Sequence, residues 1–142
     1  MTDSIMTHMV VPIANENDAT ATCEALESAI DEPIERITVV HVIEKRDRYP
    51  DKAPLEARQE QAERIFRTVE DWFPDGPPLR RELRYGTNVV DEILDVAEEV
   101  DATAIGFVPQ SSGRLHRLLS GRDSYRLITE SEQPAVVFSR VD

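Results

Sequence analysis

The sequence predicts a doubly wound α/β sandwich on a parallel sheet, and three observations carry that prediction. Short apolar runs alternate with amphipathic stretches along all 142 residues, in the order β-α-β-α-β-α-β-α-β. The run Ile37 to Ile43 (ITVVHVI) is almost continuously apolar and β-branched, the pattern of a strand covered on both faces. Crossover helices between such strands, with right-handed connections, leave few topologies other than a sheet covered on both sides. The length suits one domain, and 40% apolar residues suffice for one core. The chain is therefore assigned to a single domain, 1–142, whose first seven residues are expected to form a disordered tail.

The first strand is expected at His8 to Ile13, followed by turn and helix-start signals at Asn15, Asn17 and Asp18. Ala19, Cys23, Leu26 and Ile30 then share one helical face, with Pro33 beyond its end. After the second strand, Glu44 to Asp51 is a polar loop. A second helix from Pro54 carries Ala62, Ile65, Phe66, Val69, Trp72 and Phe73, stopped by Pro74, Gly76, Pro77 and Pro78. Trp72 and Phe73 are read as core anchors. Leu79, Leu83 and Tyr85 alternate with Arg80, Glu82 and Arg84, so the third strand has one wet face and belongs at a sheet edge, with Arg81 unexplained on the apolar face. Gly86, Thr87 and Asn88 lead into a third helix with Val90, Ile93, Leu94, Ala97 and Val100 on one face, its acids turned to water. Ala102 to Val108 and Ala135 to Phe138 are the last strands, and Ser124 to Glu132 the last helix.

Acidic residues number 28 against 16 basic ones, a net charge of −12 that argues against nucleic acid or an anionic membrane as general partners. The basic residues are 14 Arg but only Lys45 and Lys52, a Lys-poor, acid-rich balance that resembles proteins of salt-loving archaea. No apolar run reaches membrane-spanning length and the start lacks a signal peptide's apolar stretch, so a soluble cytoplasmic protein is expected. Cys23 is the only cysteine, which excludes an internal disulfide and any cysteine-rich zinc site. His41 in a continuous apolar strand is read as a core histidine, and Cys23 as an inert buried thiol. No histidine accompanies the acids of the third helix, so no metal site is assigned there. A triad of Ser112, His116 and Asp123 can be drawn, but closeness in sequence on one loop supplies no geometry, and no catalytic residue is assigned.

In doubly wound sheets ligands sit beyond the carboxyl ends of strands where the winding reverses, which selects the loops Ala14 to Asp18 and Pro109 to Asp123. The second (PQSSGRLHRLLSGRD) combines small residues with Arg114, Arg117, Arg122 and the downstream Arg126. Small residues let backbone N–H groups approach an anion, so a phosphate site is physically reasonable; a polar loop whose arginines pair with the acidic surface fits the same residues.

At this loop the resemblance becomes specific, and most of the chain resembles the universal stress protein (UspA) family. IGFV, GRLHRLLSGRD and SYRLITESEQPAVVF are similar to its closing segment, VVPIANENDATA to its first strand and loop, ITVVHV to its second strand, and YGTNVVDEILDVAEEVDATAIG to its glycine, third helix and fourth strand. Gly121 to Pro134 spans 13 residues, the family's interval from its last motif glycine to the proline before its final strand. The resemblance implies a five-stranded flavodoxin-like (adenine nucleotide alpha hydrolase-like) sandwich of strand order 3-2-1-4-5, often dimeric, with ATP bound in some members and not in others.

Nucleotide-binding members share a G-x2-G-x9-G-[ST] motif after strand four and an aspartate after strand one. Here Gly106 and Gly121 keep the ends, Pro109 replaces the middle glycine, the Gly106 to Gly121 interval of 15 is two too long, and Arg122 replaces the hydroxyl residue. Proline also removes an N–H donor. The family's VPxD reads Val11, Pro12, Ile13, Ala14, so the carboxylate is missing, with Asn15 adjoining, while Val42 matches a position whose backbone lies near the base. The resemblance thus implies a degenerate nucleotide or anion site of Pro12, Ala14, Asn15, Val42, Gly106, Pro109, Gly113, Arg114, Gly121 and Arg122. The expected function is a non-enzymatic regulatory or stress-response domain without standard ATP binding and without a cofactor. The alternatives are an ATP binder or slow hydrolase with a modified Arg-rich phosphate loop, and a structural dimerisation module. A homodimer through Ala135 to Phe138 is expected, because an apolar edge strand offers open N–H and C=O groups.

Overall fold

The computed structural model describes residues 4–29, 34–45, 52–109 and 121–138. Five strands, β1 (His8–Pro12), β2 (Arg36–Glu44), β3 (Leu79–Gly86), β4 (Ala104–Phe107) and β5 (Ala135–Val137), alternate with four helices, α1 (Glu16–Ala29), α2 (Lys52–Trp72), α3 (Val89–Glu99) and α4 (Gly121–Glu130). All strand pairs are parallel and the order is β3-β2-β1-β4-β5, the predicted topology. The winding reverses between β1 and β4, which opens the sheet at their carboxyl ends.

Side chains alternate across the sheet and so feed two cores. Met9, Val11, Ile37 and Val39 meet Ala19, Cys23 and Leu26 of α1 and Ala62, Ile65, Phe66 and Val69 of α2. Val10, Val40, Val42, Ile105 and Phe107 meet Val90, Ile93 and Val96 of α3 and Leu127 of α4. Each fully buried large side chain contributes roughly 1.5–3 kcal/mol, and the central strands β1, β2 and β4 all carry such side chains. Cys23 is fully buried, and burial, then Glu27, push its thiol up to about 12, so it packs as a small apolar group. His8 opens β1 and is buried; its Nε2 lies 2.7 Å from Thr38 Oγ1.

Several local expectations change. Ser4 to Thr7, expected in the tail, form a turn held to the sheet: Glu35 N donates to Met6 O at 2.9 Å, Arg36 N to Thr7 O at 3.1 Å, and Met6 packs on the core. Tyr85 faces α2 as its register requires but is exposed, its hydroxyl accepting from Gln59 Nε2 at 2.9 Å. Arg81 lies on that same α2 side, its guanidinium 5.5 Å from the Phe66 ring centre and bonded to Glu63 and Glu70. Cation–π attraction and two carboxylates explain a charge on an otherwise apolar face. Trp72 and Phe73 are partly buried against the core, the Trp72 indole donating to Glu27 Oε2 at 3.0 Å. Val96, outside the predicted α3 face, is fully buried. The acids of α3 are not simply solvated: Glu99 pairs with Arg84 and Asp91 with Arg126. The last helix begins at Gly121, three residues before the predicted start, and β5 ends at Val137.

Candidate functional site

The β1 carboxyl end turns into α1 through a reciprocal cap. Asn15 Oδ1 accepts from Asp18 N at 2.8 Å, and Asp18 Oδ2 accepts from Ala14 N at 2.7 Å. Asp18 is 1% exposed, and its Oδ1 also accepts from Thr22 Oγ1 at 3.2 Å. The turn at the switch point therefore carries a buried carboxylate whose acceptors take up the backbone donor of Ala14. On the neighbouring strand His41 Nδ1 donates to Ile13 O at 2.8 Å, so this histidine ties β2 to the β1 turn, and burial lowers its pKa. It is the satisfied core histidine its apolar surroundings predict.

Pro12, Ala14 and Val42 come together as expected: with Ile13, Val40, Val89 and Ile93 they line a narrow apolar slot between the sheet and α3, of about 10 Å³. That is room for about one water. Val89 also borders a second, open cleft of 440 Å³ lined by Glu44, Thr87, Asn88, Arg122, Asp123 and Arg126. Arg122 thus faces a cavity beside the slot rather than the slot itself. Gly121 starts α4 one residue earlier, and Asn15 is engaged in its cap. Gly106 lies within β4, where an added Cβ would run into Met9 Sδ and the Phe138 ring, so close packing requires its smallness. Pro109 follows β4 and lines neither cavity. Gly113 and Arg114 lie outside the described residues, as do Ser112 and His116 of the drawn triad.

Arg126, counted among the loop's positive charges, is committed to acids. Its Nε and Nη2 donate to Glu130 at 2.7 and 2.9 Å, Nη2 to Asp91 Oδ1 at 3.0 Å, and Nη1 to Asn88 Oδ1 at 3.1 Å. These bonds hold the Glu130 carboxyl below the usual carboxylate range and raise the guanidinium further. Asn88 Oδ1 also accepts from Asp91 N at 3.1 Å and so caps α3. Just before it, a Cβ at Gly86, the last residue of β3, would strike the Glu92 side chain, which would have to move aside. Residue reasoning missed Asp18 as a buried acceptor, and Asp91 and Glu130 as partners of Arg126. The spacing Asn15-x-x-Asp18 signalled the first, and the i, i+4 pair Arg126 and Glu130 part of the second. No cluster of three metal-ligating side chains occurs among the described residues.

The sequence profile of the universal stress protein family matches residues 6–139. The chain belongs to this family. Among curated proteins none matches it. The universal stress protein UspA from Lactobacillus plantarum superposes with a TM-score of 0.72 at 18% identity, over 96% of this chain and 99% of that one. A universal stress protein from Archaeoglobus fulgidus, solved in complex with dAMP, gives 0.61 at 22% identity over 95% and 99%. One from Arabidopsis thaliana, with AMP bound, gives 0.60 at 16% identity over 95% and 92%. At these identities the likeness establishes the shared fold. Within this universal stress protein, the slot lies at the carboxyl end of β1, beside the switch point where doubly wound sheets bind ligands, and the cleft lies beyond the end of β2 and shares Val89 with the slot.

Proposed function

We propose that this universal stress protein is a non-enzymatic regulatory or stress-response domain that does not hold ATP in the manner of the family's nucleotide-binding members. The size of the slot at Pro12, Ala14 and Val42 carries this reading: a purine is several times larger than the single water for which there is room. Two further features agree with it. The Ala14 N–H is already bonded to Asp18, and Pro109 has no N–H to offer a phosphate.

The second reading, a nucleotide held through an Arg-rich phosphate loop, draws support from the 440 Å³ cleft bordered by Arg122 and from the AMP and dAMP complexes of the two relatives. Calorimetry with Mg-ATP at millimolar concentrations separates the two. No specific heat is expected; saturable binding in the micromolar range overturns the first reading in favour of the second.

A further inference from the structure

We propose that Asp91 and Glu130 set the ligand preference of the 440 Å³ cleft: by occupying Arg126, they act as resident competitors that exclude small anions from it. The inference rests on reading this protein as one without standard ATP binding, and it assigns part of that property to two side chains outside the glycine motif.

The geometry is specific. Arg126 borders the cleft together with Arg122, and two adjacent guanidiniums would ordinarily attract a phosphate-sized anion. Yet every nitrogen of Arg126 is already engaged, in four hydrogen bonds. Glu130 takes Nε and Nη2 in a bidentate pair one helical turn on, and Asp91 takes Nη2 from the facing helix α3. The remaining nitrogen, Nη1, donates to Asn88 Oδ1. All three acceptors sit on Val89–Glu99, its cap, or α4 itself, so they are in place before any ligand arrives. An incoming anion must displace carboxylates that already have charge-assisted geometry, while also meeting the negative charges of Glu44 and Asp123 on the cleft wall. The pairs are partly exposed, with Arg126 at 25%, Asp91 at 58% and Glu130 at 46% side-chain exposure, so the competition is moderate and salt-dependent.

The test measures inorganic pyrophosphate binding by calorimetry at one fixed KCl concentration. Three proteins are compared: the wild type, the Asp91→Asn, Glu130→Gln double variant, and an Asp95→Asn, Glu98→Gln control that removes the same charge from exposed positions of α3 that make no hydrogen bond to Arg126. The double variant is expected to bind about tenfold more tightly than wild type and control. Adding Arg126→Gln to the double variant is expected to abolish the gain. An unchanged affinity, an equal gain in the control, or a gain that survives Arg126→Gln overturns the inference. Each of these comparisons is a ratio between variants, so it stands or falls separately from whether the wild type binds Mg-ATP. Micromolar ATP binding by the wild type would defeat the proposed function and leave the ratio to be judged by itself.

Discussion

The two edges of the sheet are built on opposite principles. β3 runs eight residues along one edge, and Arg80, Arg81, Glu82 and Arg84 give it four charges; β5 runs three residues along the other and has none. At the β3 edge Arg81 is fastened to Glu63 and Glu70 of α2, and Arg84 to Glu82 and to Glu99 of α3. Charge and ion pairs there oppose strand addition. At the β5 edge Val137 is exposed, and Tyr125 and Ile128 of α4 are exposed with it. Phe138 N donates to Phe107 O and Ile105 N to Pro134 O, so in this parallel register Ala135 and Val137 turn their own N–H and C=O groups away from β4. A long edge closed by charge and a short apolar edge that is uncovered among the described residues teach where association is to be sought. We propose a homodimer through β5.

The largest effect expected is on assembly. Because the Val137 N–H points outward, Val137→Pro removes a donor that the β4 ladder does not use and that a second copy would take up, and leaves that ladder intact. Light scattering is expected to give about twice the 16.1 kDa chain mass for the wild type and the chain mass for the variant. A wild-type mass equal to one chain ends the comparison as an argument about association.

Salt should sharpen the contrast. Raising KCl from about 0.1 M to about 1 M shortens the screening length from about 10 Å to about 3 Å. The pairs of the β3 edge weaken, but being exposed they contribute little, whereas the self-repulsion of a −12 charge is relieved across the whole molecule. The melting temperature is expected to rise by about 5 °C or more. A flat response would show that the Lys-poor, acid-rich composition is not an adaptation to salt.

Acid should act unevenly and more gently. Desolvation, then the charges of Arg36 and Arg80, hold the His8 pKa below its ordinary 6.5, and desolvation lowers that of His41. A histidine with a lowered folded pKa contributes its stability above 6.5 and loses it as the pH falls through the folded value. The slope of melting temperature against pH just below 6.5 is therefore expected to flatten in His8→Gln, which keeps a polar partner for Thr38. Arginine hydrogen bonds hold Glu63, Glu70 and Glu99 below 4.5, so their stabilisation is present above 4.5 and lost as the pH falls through the lowered values. Below that pH, amide exchange should quicken in β3 before β5; simultaneous loss would mean that the ion pairs do not define the β3 edge.

The order and class of all nine elements could be read from the sequence, because buried parallel strands and one-faced helices leave distinct periodicities. Their ends were less clear. The α4 start at Gly121 was hidden by the Gly and Arg residues of the preceding loop, and the exposed position of Tyr85 depends on where α2 stops covering β3. At the site, Pro12, Ala14 and Val42 line one slot because strand ends in this fold converge. For Arg126 the sequence left anion binding and pairing with the acidic surface both open, because Asp91 lies 35 residues earlier, on another helix, and no local pattern joins them. Arg81 shows the same limit: its acids belong to α2, and only the tertiary packing over Phe66 brings them there.

Thr103, just before β4, is the clasp that completes the first strand. Its Oγ1 accepts from His8 N at 2.9 Å and lies 3.1 Å from the carbonyls of Ile5 and His8, while its own N–H donates to His8 O at 2.8 Å. During synthesis, β1, β2 and β3 emerge first and can form a sheet of three, with β1 as a temporary edge. That edge carries Met9, Val10 and Val11, which are apolar and without the charges that protect β3. At about 5–20 residues per second, the stretch from Gly86 to Phe107 takes roughly 1–4 s to appear. For those seconds a strand that is wholly buried in the finished molecule lies at an edge of the nascent sheet, and a holding chaperone would find a hydrophobic target there.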